Sequence, residues 1–198
     1  MTATMAQCAY CQHHKCDTSL GPVPEDGRCM LEPLAGDART EVVGFYNEGL
    51  GAQVMQATDT VMAQSGKNRW NHLTEIIEFA RAMGFERIGI ATCTMFLAEA
   101  KVLAQALKDA GFKVTSIACK TGEVHRNEVG LDADGSNGCV CNPYRQAQVL
   151  AEADTQMNIS VGLCIGHDML FNKLSQALTT TYFSKDYATD HNAIADLR

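Results

Sequence analysis

The sequence predicts an α/β fold: a three-layer, Rossmann-like domain on a mostly parallel sheet of about four strands, preceded by a small N-terminal cysteine-rich metal knuckle. Three observations predict it. Short strands rich in apolar and small residues alternate with helix-period stripes from about residue 73 to residue 183. Glycines punctuate the helix ends, as at Gly84 and Gly111. The first 29 residues hold four cysteines and almost no apolar periodicity, so they need something other than a core to order them. The expected division is a metal-binding segment over 1–36 and the α/β domain over 37–198, and no internal repeat is evident.

Within the segment, Cys8, Cys11, Cys16 and Cys29 are the expected ligands. A two-residue gap lets the first two thiolates reach one ion, while the longer gaps close the loop from farther away. An iron–sulfur centre suits this spacing, and zinc is the alternative, with His13 and His14 as further donors. From about Asp37 to Ser65 a broken apolar stripe that includes Val42, Phe45, Leu50 and Val61 predicts one or two helices covering the main domain. Gly49 and Gly51 interrupt them, and Gly66 is the expected C-cap.

Leu73, Ile76, Ile77, Ala80 and Met83 fall on one helical face, and Gly84 ends that helix. Residues 86–92 form the first strand, where the small Gly89 and Ala91 fit close packing on both faces of a buried parallel sheet. A helix from Thr94 to Ala110 and a strand over 112–118 complete a βαβ unit. Its right-handed crossover makes the two strands parallel and puts Cys93 and Cys119 at the same C-terminal edge. Residues 120–140 read as a long polar loop over that edge. Its D-A-D-G stretch is not a calcium loop, because the twelfth position from Asp132 is Pro143 rather than an acid. Asn142 and Pro143 start a helix running to about Met157. The strand 158–163 ends at Cys164, a helix opens with I-G-H-D, and a last strand over 177–183 closes the sheet.

Three strand ends and one helix start therefore deliver Cys93, Cys119, Cys164 and Cys141 to one edge, with Cys139 the spare of the nine cysteines. With a strand order such as 2-1-3-4, the reversal falls between the strands ending at Cys93 and Cys164, where ligands of such sheets bind. Taken singly, each cysteine reads as a small buried hydrophobe. Together, at neighbouring ends about 4.8 Å apart and beside helix N-termini, they read as thiolate ligands of an iron–sulfur cluster of the [4Fe–4S] type. Lys120, His167 and Asp168 are the candidate acid, base or charge partners, although a histidine at a helix start is more often a capping or solvated residue.

The motifs A-T-C, A-C-K-T-G, C-N-P-Y-R-Q-A and G-L-C-I-G-H-D, with the leading C-x2-C-x4-C, span nearly the whole chain. With them the sequence resembles a bacterial and archaeal family of cysteine-rich proteins of unknown function, described as metal binders. The resemblance implies metal binding, implies Cys141 rather than Cys139 as the ligand, and implies no particular reaction.

The net charge of −7 and the pI near 5.3 exclude a sequence-independent nucleic-acid or anionic-membrane surface. No run of 18 apolar residues and no charged-then-apolar leader is present, so a cytoplasmic protein is expected. In a reducing compartment nine cysteines point to metal or redox chemistry rather than disulfides. The expected function is an iron–sulfur reductase or sulfur-handling lyase acting on a small molecule or with an electron-transfer partner, and the reading allows a homodimer. A zinc-holding interaction module and a metal-free cysteine-nucleophile enzyme are the alternatives.

Overall fold

The computed structural model describes residues 9, 35–131, 135 and 138–197. The chain divides into two compact units, Met1–Met55 and Gln56–Arg198. The expected N-terminal ligands Cys8, Cys11, Cys16 and Cys29 lie outside the described residues.

In the first unit, helix α1 covers Gly36–Asn47 and helix α2 begins at Gly49 and runs to Asn68. Gly49 takes a positive φ of 58°, which breaks the two helices apart. A Cβ at Gly51 would meet the Phe45 carbonyl oxygen at 2.1 Å, so only glycine lets α2 start so close to α1. None of the α1 residues is buried. Gly66 is not a cap, because α2 continues past it. Arg69 turns the chain instead, with φ 51° and its N–H donating to the Ser65 carbonyl at 2.7 Å.

The second unit carries the sheet. Helix α3 (His72–Ala82) is capped by the Asn71 side chain, which accepts from the Thr74 N–H at 2.9 Å. Strand β1 is Arg87–Thr92, helix α4 is Leu97–Asp109 after a 3-10 turn at Thr94–Phe96, and strand β2 is Lys113–Ala118. After the loop come helix α5 (Pro143–Glu152), strand β3 (Met157–Leu163), helix α6 (Ile165–Leu174) and strand β4 (Leu178–Ser184). Helix α5 stops at Glu152, short of the expected Met157. Asp154 turns left-handed at φ 50°, and the Thr155 N–H returns to the Leu150 carbonyl at 3.2 Å, which frees Met157 to begin β3.

All strand pairs are parallel, in the order β2-β1-β3-β4. The connections β1-α4-β2 and β2-α5-β3 step in opposite directions, so right-handed crossovers put α4 and α5 on opposite faces. Helices α5 and α6 pack side by side, α5 over β1 and β2 and α6 over β3 and β4. The sheet is thus covered on both sides, and β3 is buried along its whole length. Gly89 permits the tight layer: a Cβ there would lie 2.1 Å from the Asn158 side-chain oxygen of the neighbouring strand and 2.9 Å from Leu150 on α5. Among the described residues, no helix is long and apolar enough to cross a membrane.

Candidate functional site

The strand order puts the reversal between β1 and β3, and each of the four strands is followed at once by a thiol or a cationic residue at that edge. Thr92 leads to Cys93, Ala118 to Cys119, Leu163 to Cys164 and Ser184 to Lys185. Thr92 pairs with Ala118 in the β1–β2 ladder, so Cys93 and Cys119 leave the sheet at the same level. On the other side, the Cys93 N–H donates to the Val161 carbonyl at 3.1 Å, extending the β1–β3 pairing one residue. Cys164 caps α6 with φ −63° and ψ 146°, and Cys93 starts its 3-10 turn at φ −73° and ψ 144°, so both thiols leave their strands from matching backbone.

Gly162 fixes the turn that carries Cys93. It lies in the irregular end of β3 with φ 63°, and a Cβ on it would stand 2.1 Å from Cδ2 of the Phe96 ring. Phe96 can therefore lie close against β3. Its N–H donates to the Cys93 carbonyl at 3.0 Å, and its own carbonyl accepts from the Thr92 hydroxyl at 3.4 Å.

Cys141 reaches the same edge from the start of α5. The Asn142 side chain caps that helix by accepting from the Arg145 N–H at 2.9 Å, and the Asn142 N–H donates to the Cys119 carbonyl at 2.6 Å. The Cys141 and Cys119 sulfurs are then 3.6 Å apart. Gln146, fully buried one turn further on, donates through Nε2 to the carbonyls of Thr92 at 3.2 Å and Ile117 at 3.0 Å. Helix α5 is in this way tied to the ends of both strands that carry Cys93 and Cys119. The Gln146 Oε1 has no hydrogen-bond partner among the described residues.

Lys185 supplies the positive charge. Its N–H donates to the Leu163 carbonyl at 2.9 Å, which extends β4, and its Nζ lies 3.0 Å from the Cys93 sulfur and 3.8 Å from the Met95 sulfur. The Tyr187 hydroxyl approaches the same methionine sulfur at 3.2 Å. Burial alone would push the Cys93 thiol up, yet its pKa falls below the ordinary 9.0. The Lys185 hydrogen bond, a bond from the Met95 backbone and the Lys185 charge together outweigh burial. Lys185 is raised in turn: burial opposes its charge, but the Cys93 hydrogen bond and the charges of Cys93 and Cys164 favour it. Cys141 goes the other way, pushed up to about 12 by burial, by its bond to Cys119, and by the charges of Cys119, Cys164 and Cys93. All four thiols therefore share one electrostatic neighbourhood.

The other candidates named from the sequence sit differently, each in a place the fold dictates. Lys120 is exposed in the turn after Cys119, and the ammonium beside a sulfur belongs to Lys185. His167 is half-buried on the first turn of α6. Asp168 is buried in a cage of hydroxyls: Ser160 makes a short bond to Oδ1, and Thr181 and Ser184 lie 3.0 and 3.5 Å from Oδ2. Its N–H donates to the Cys164 carbonyl at 2.9 Å, so this carboxylate fastens the helix start that carries Cys164 to β3 and β4. Cys139 pairs by an isolated antiparallel bridge with His125 in the loop. Among the described residues, no group of three or more His, Cys, Asp or Glu side chains is placed to hold a metal ion. Lys185, Met95 and Tyr187 are not singled out by the sequence. The signal for Lys185 is its place directly after β4 in a sheet whose other three strands all lead into cysteine.

Fold and site together define a doubly wound α/β protein whose switch point is lined with thiols. The chain belongs to the family described as Protein of unknown function (DUF1847), whose profile matches residues 32–182 and takes in Cys93, Cys119, Cys141 and Cys164. This agrees with the resemblance to a family of unknown function drawn from the motifs. It is also similar to Uncharacterized protein MJ0455 of Methanocaldococcus jannaschii, with 44% identity over 129 residues, covering 61% of this chain and 63% of that protein. No solved structure matches the chain.

Proposed function

We propose that the chain is an iron–sulfur protein whose cluster is held by Cys93, Cys119, Cys141 and Cys164, and that it works as a redox or sulfur-handling enzyme on a small molecule. The observation that carries this reading is the convergence itself: three strand ends and a helix start bring four thiols to the switch point, with the Cys119 and Cys141 sulfurs at 3.6 Å. The donor set is chemically suited to the group. Thiolates select iron–sulfur or zinc over hard cations, and the N-termini of α5 and α6 favour an anionic centre. Binding would require the thiols to lose protons and turn onto the metal, because no three of the described candidate ligands are grouped on an ion beforehand. A bound cluster would supply electron transfer or activation of a small substrate. Cys8, Cys11, Cys16 and Cys29 would hold a second centre, a relay cluster or zinc, and the protein would act in the cytoplasm.

Anaerobic purification with iron, zinc and acid-labile sulfide quantified on the wild type, Cys93→Ala and Cys11→Ala tests this directly. Iron and sulfide that fall by separate fractions in the two variants support two centres. A colourless protein with zinc alone favours an interaction module, and a protein with neither iron nor sulfide rejects the iron–sulfur reading.

A metal-free thiol enzyme is the second reading, favoured by one specific observation: the Lys185 ammonium 3.0 Å from the Cys93 sulfur, the arrangement that activates a nucleophile. Peptide-mapped alkylation of the native protein separates the two. Ligated cysteines resist the reagent as a set, whereas a lone nucleophile reacts first at Cys93.

A further inference from the structure

We propose that the aromatic cavity between α3, α4 and strands β3 and β4 is a binding site for an organic ammonium ion, a charged amine carried on an apolar alkyl or aryl body. The cavity lies on the face of the sheet opposite α6, and the proposal does not depend on what the thiols hold.

Its aromatic wall is made by a paired irregularity at the end of the sheet. Ser160 stands opposite Thr181, Val161 opposite Phe183 and Leu163 opposite Ser184, so Tyr182 is an extra residue on β4 and Gly162 an extra residue on β3. The hydroxyls around Asp168 show what this does to the side chains. Thr181 and Ser184 lie 3.0 and 3.5 Å from its Oδ2, so both face α6. In a regular strand, residues three apart point to opposite faces. The two residues between them, Tyr182 and Phe183, are turned together to the other side, where both line the cavity and both stay half-buried.

The cavity has two lobes that share Glu99, Tyr182 and Phe183. The more enclosed lobe, about 260 Å³, adds only apolar side chains, among them Leu73 and Leu103. The outer lobe, about 360 Å³, adds Phe96, Asp190 and His191. Each is near the lower end of the roughly 300–1,000 Å³ of ordinary ligand pockets, which suits a small molecule. Phe96 meets Phe183 at 90° and 5.0 Å, and His191 at 89° and 4.8 Å, while Tyr182 meets Phe183 at 76° and 6.4 Å. Rings set edge to face leave open faces that a flat stack would cover, and the negative face of an aromatic ring attracts an ammonium group.

The carboxylates set the sign of the charge. Glu99 and Asp190 are both exposed, and neither enters an ion pair among the described residues, where the pairs join Glu78 to Arg81, Glu86 to Lys113 and Glu152 to Arg145. The Lys185 ammonium lies 5.8 Å from the Phe96 centroid, but it is directed at the Cys93 sulfur, 3.0 Å away. Two unpaired carboxylates beside aromatic rings complement a cation and repel an anion. Glu99, shared by both lobes, stands where an ammonium would lie with its apolar body in the enclosed lobe.

The test uses the full chain as purified, titrated calorimetrically with phenethylammonium, phenethyl alcohol and phenylacetate, three probes that share one body and differ in charge. The ammonium should bind about tenfold more tightly than the alcohol, with phenylacetate weakest, and only the ammonium should weaken with added salt. The double variant Glu99→Gln with Asp190→Asn should lose about tenfold for the ammonium and leave the alcohol unchanged. Val102 lines the enclosed lobe from an exposed position on α4, so Val102→Arg should keep the fold and weaken both the ammonium and the alcohol. Phe96 is left intact because it seats the Cys93 turn. No saturable binding of the ammonium by about 10 mM overturns the proposal, as does an ammonium that binds no better than the alcohol. Unchanged ammonium binding in the double variant or in Val102→Arg places the cation elsewhere and overturns it too. A wild-type dimer that Val102→Arg abolishes would make a second copy of the chain the occupant instead.

Discussion

Gly162→Ala perturbs the seat of the site without touching a thiol, and its cost can be worked from two independent features. The residue sits at φ 63°, where an L-residue other than glycine loses about 1–2 kcal/mol. The new methyl would stand 2.1, 2.6 and 2.8 Å from Cδ2, Cε2 and Cγ of Phe96, the body of a packed ring rather than a flexible tip. Forcing that ring away is an overpacking change of about 1–3 kcal/mol. The sum, about 2–5 kcal/mol, corresponds to a fall in Tm of about 4–20 °C at the roughly 2–4 °C per kcal/mol expected for this chain length. Urea unfolding with linear extrapolation measures it, with the slope m unchanged. Phe96→Ala alone removes a buried ring and should cost about 3–5 kcal/mol. In the double variant the clash has no ring to meet, so the two costs should fall short of additive by about 1–3 kcal/mol. Additive costs, or a Gly162→Ala loss under about 1 kcal/mol, would refute the claim that Phe96 and Gly162 interlock to place Cys93.

Asp168→Ala leaves the hydroxyls of Ser160 and Thr181 without their carboxylate and should cost about 2–4 kcal/mol in urea unfolding. Asp168→Asn should keep the Cys93 labelling rate and metal content of the wild type, since Asp168 holds a helix start, and loss of either would show that it takes part in the chemistry. Gln146→Met removes the donors to the Thr92 and Ile117 carbonyls and should cost about 2–4 kcal/mol with m unchanged, measured the same way. In metal-free protein, Cys141 keeps its proton in the fold up to about 12 while the unfolded chain releases it near the ordinary 9.0. The folded state then binds more protons between those values, so stability should fall as pH rises from about 9 toward 12. Cys141→Ala should flatten that decline in a series of urea titrations, and an unchanged slope would place its burial elsewhere.

Much of this fold is legible because local chemistry and the global plan agree. Gly84 and Gly111 end α3 and α4 with positive φ, as their places after apolar stripes imply. The βαβ unit fixes β1 beside β2, and the cysteine-ended strands put the site at the reversal between β1 and β3. The misplaced boundaries have physical causes that a linear reading does not hold. Helix α5 gives way at Asp154, a left-handed non-glycine with no proline or glycine nearby to announce it. Gly66 looks like a stop but is carried through as an interior helical residue.

The site is legible for its thiols and illegible for what surrounds them. Cysteine at a strand end is visible in the sequence, whereas Lys185 meets Cys93 across 92 residues, and only the register of a fourth strand brings them together. The cage around Asp168 is hidden for a related reason. Ser160 and Thr181 occupy strands covered on both faces, where alternation no longer tells which way a hydroxyl points.

The four strands each end by giving one residue to the edge, but the contributions are unequal: three thiols from β1, β2 and β3, and one cation from β4. Helix α5 adds a fourth thiol. The Lys185 ammonium lies 3.0 Å from the Cys93 sulfur, and against the push of burial it helps lower that thiol's pKa. Cys141, its sulfur 3.6 Å from that of Cys119, is pushed the other way, up to about 12, first by burial and then by the neighbouring thiols. On the proposed iron–sulfur reading, loading this edge should release protons to solvent, because a soft metal binds thiolate rather than thiol.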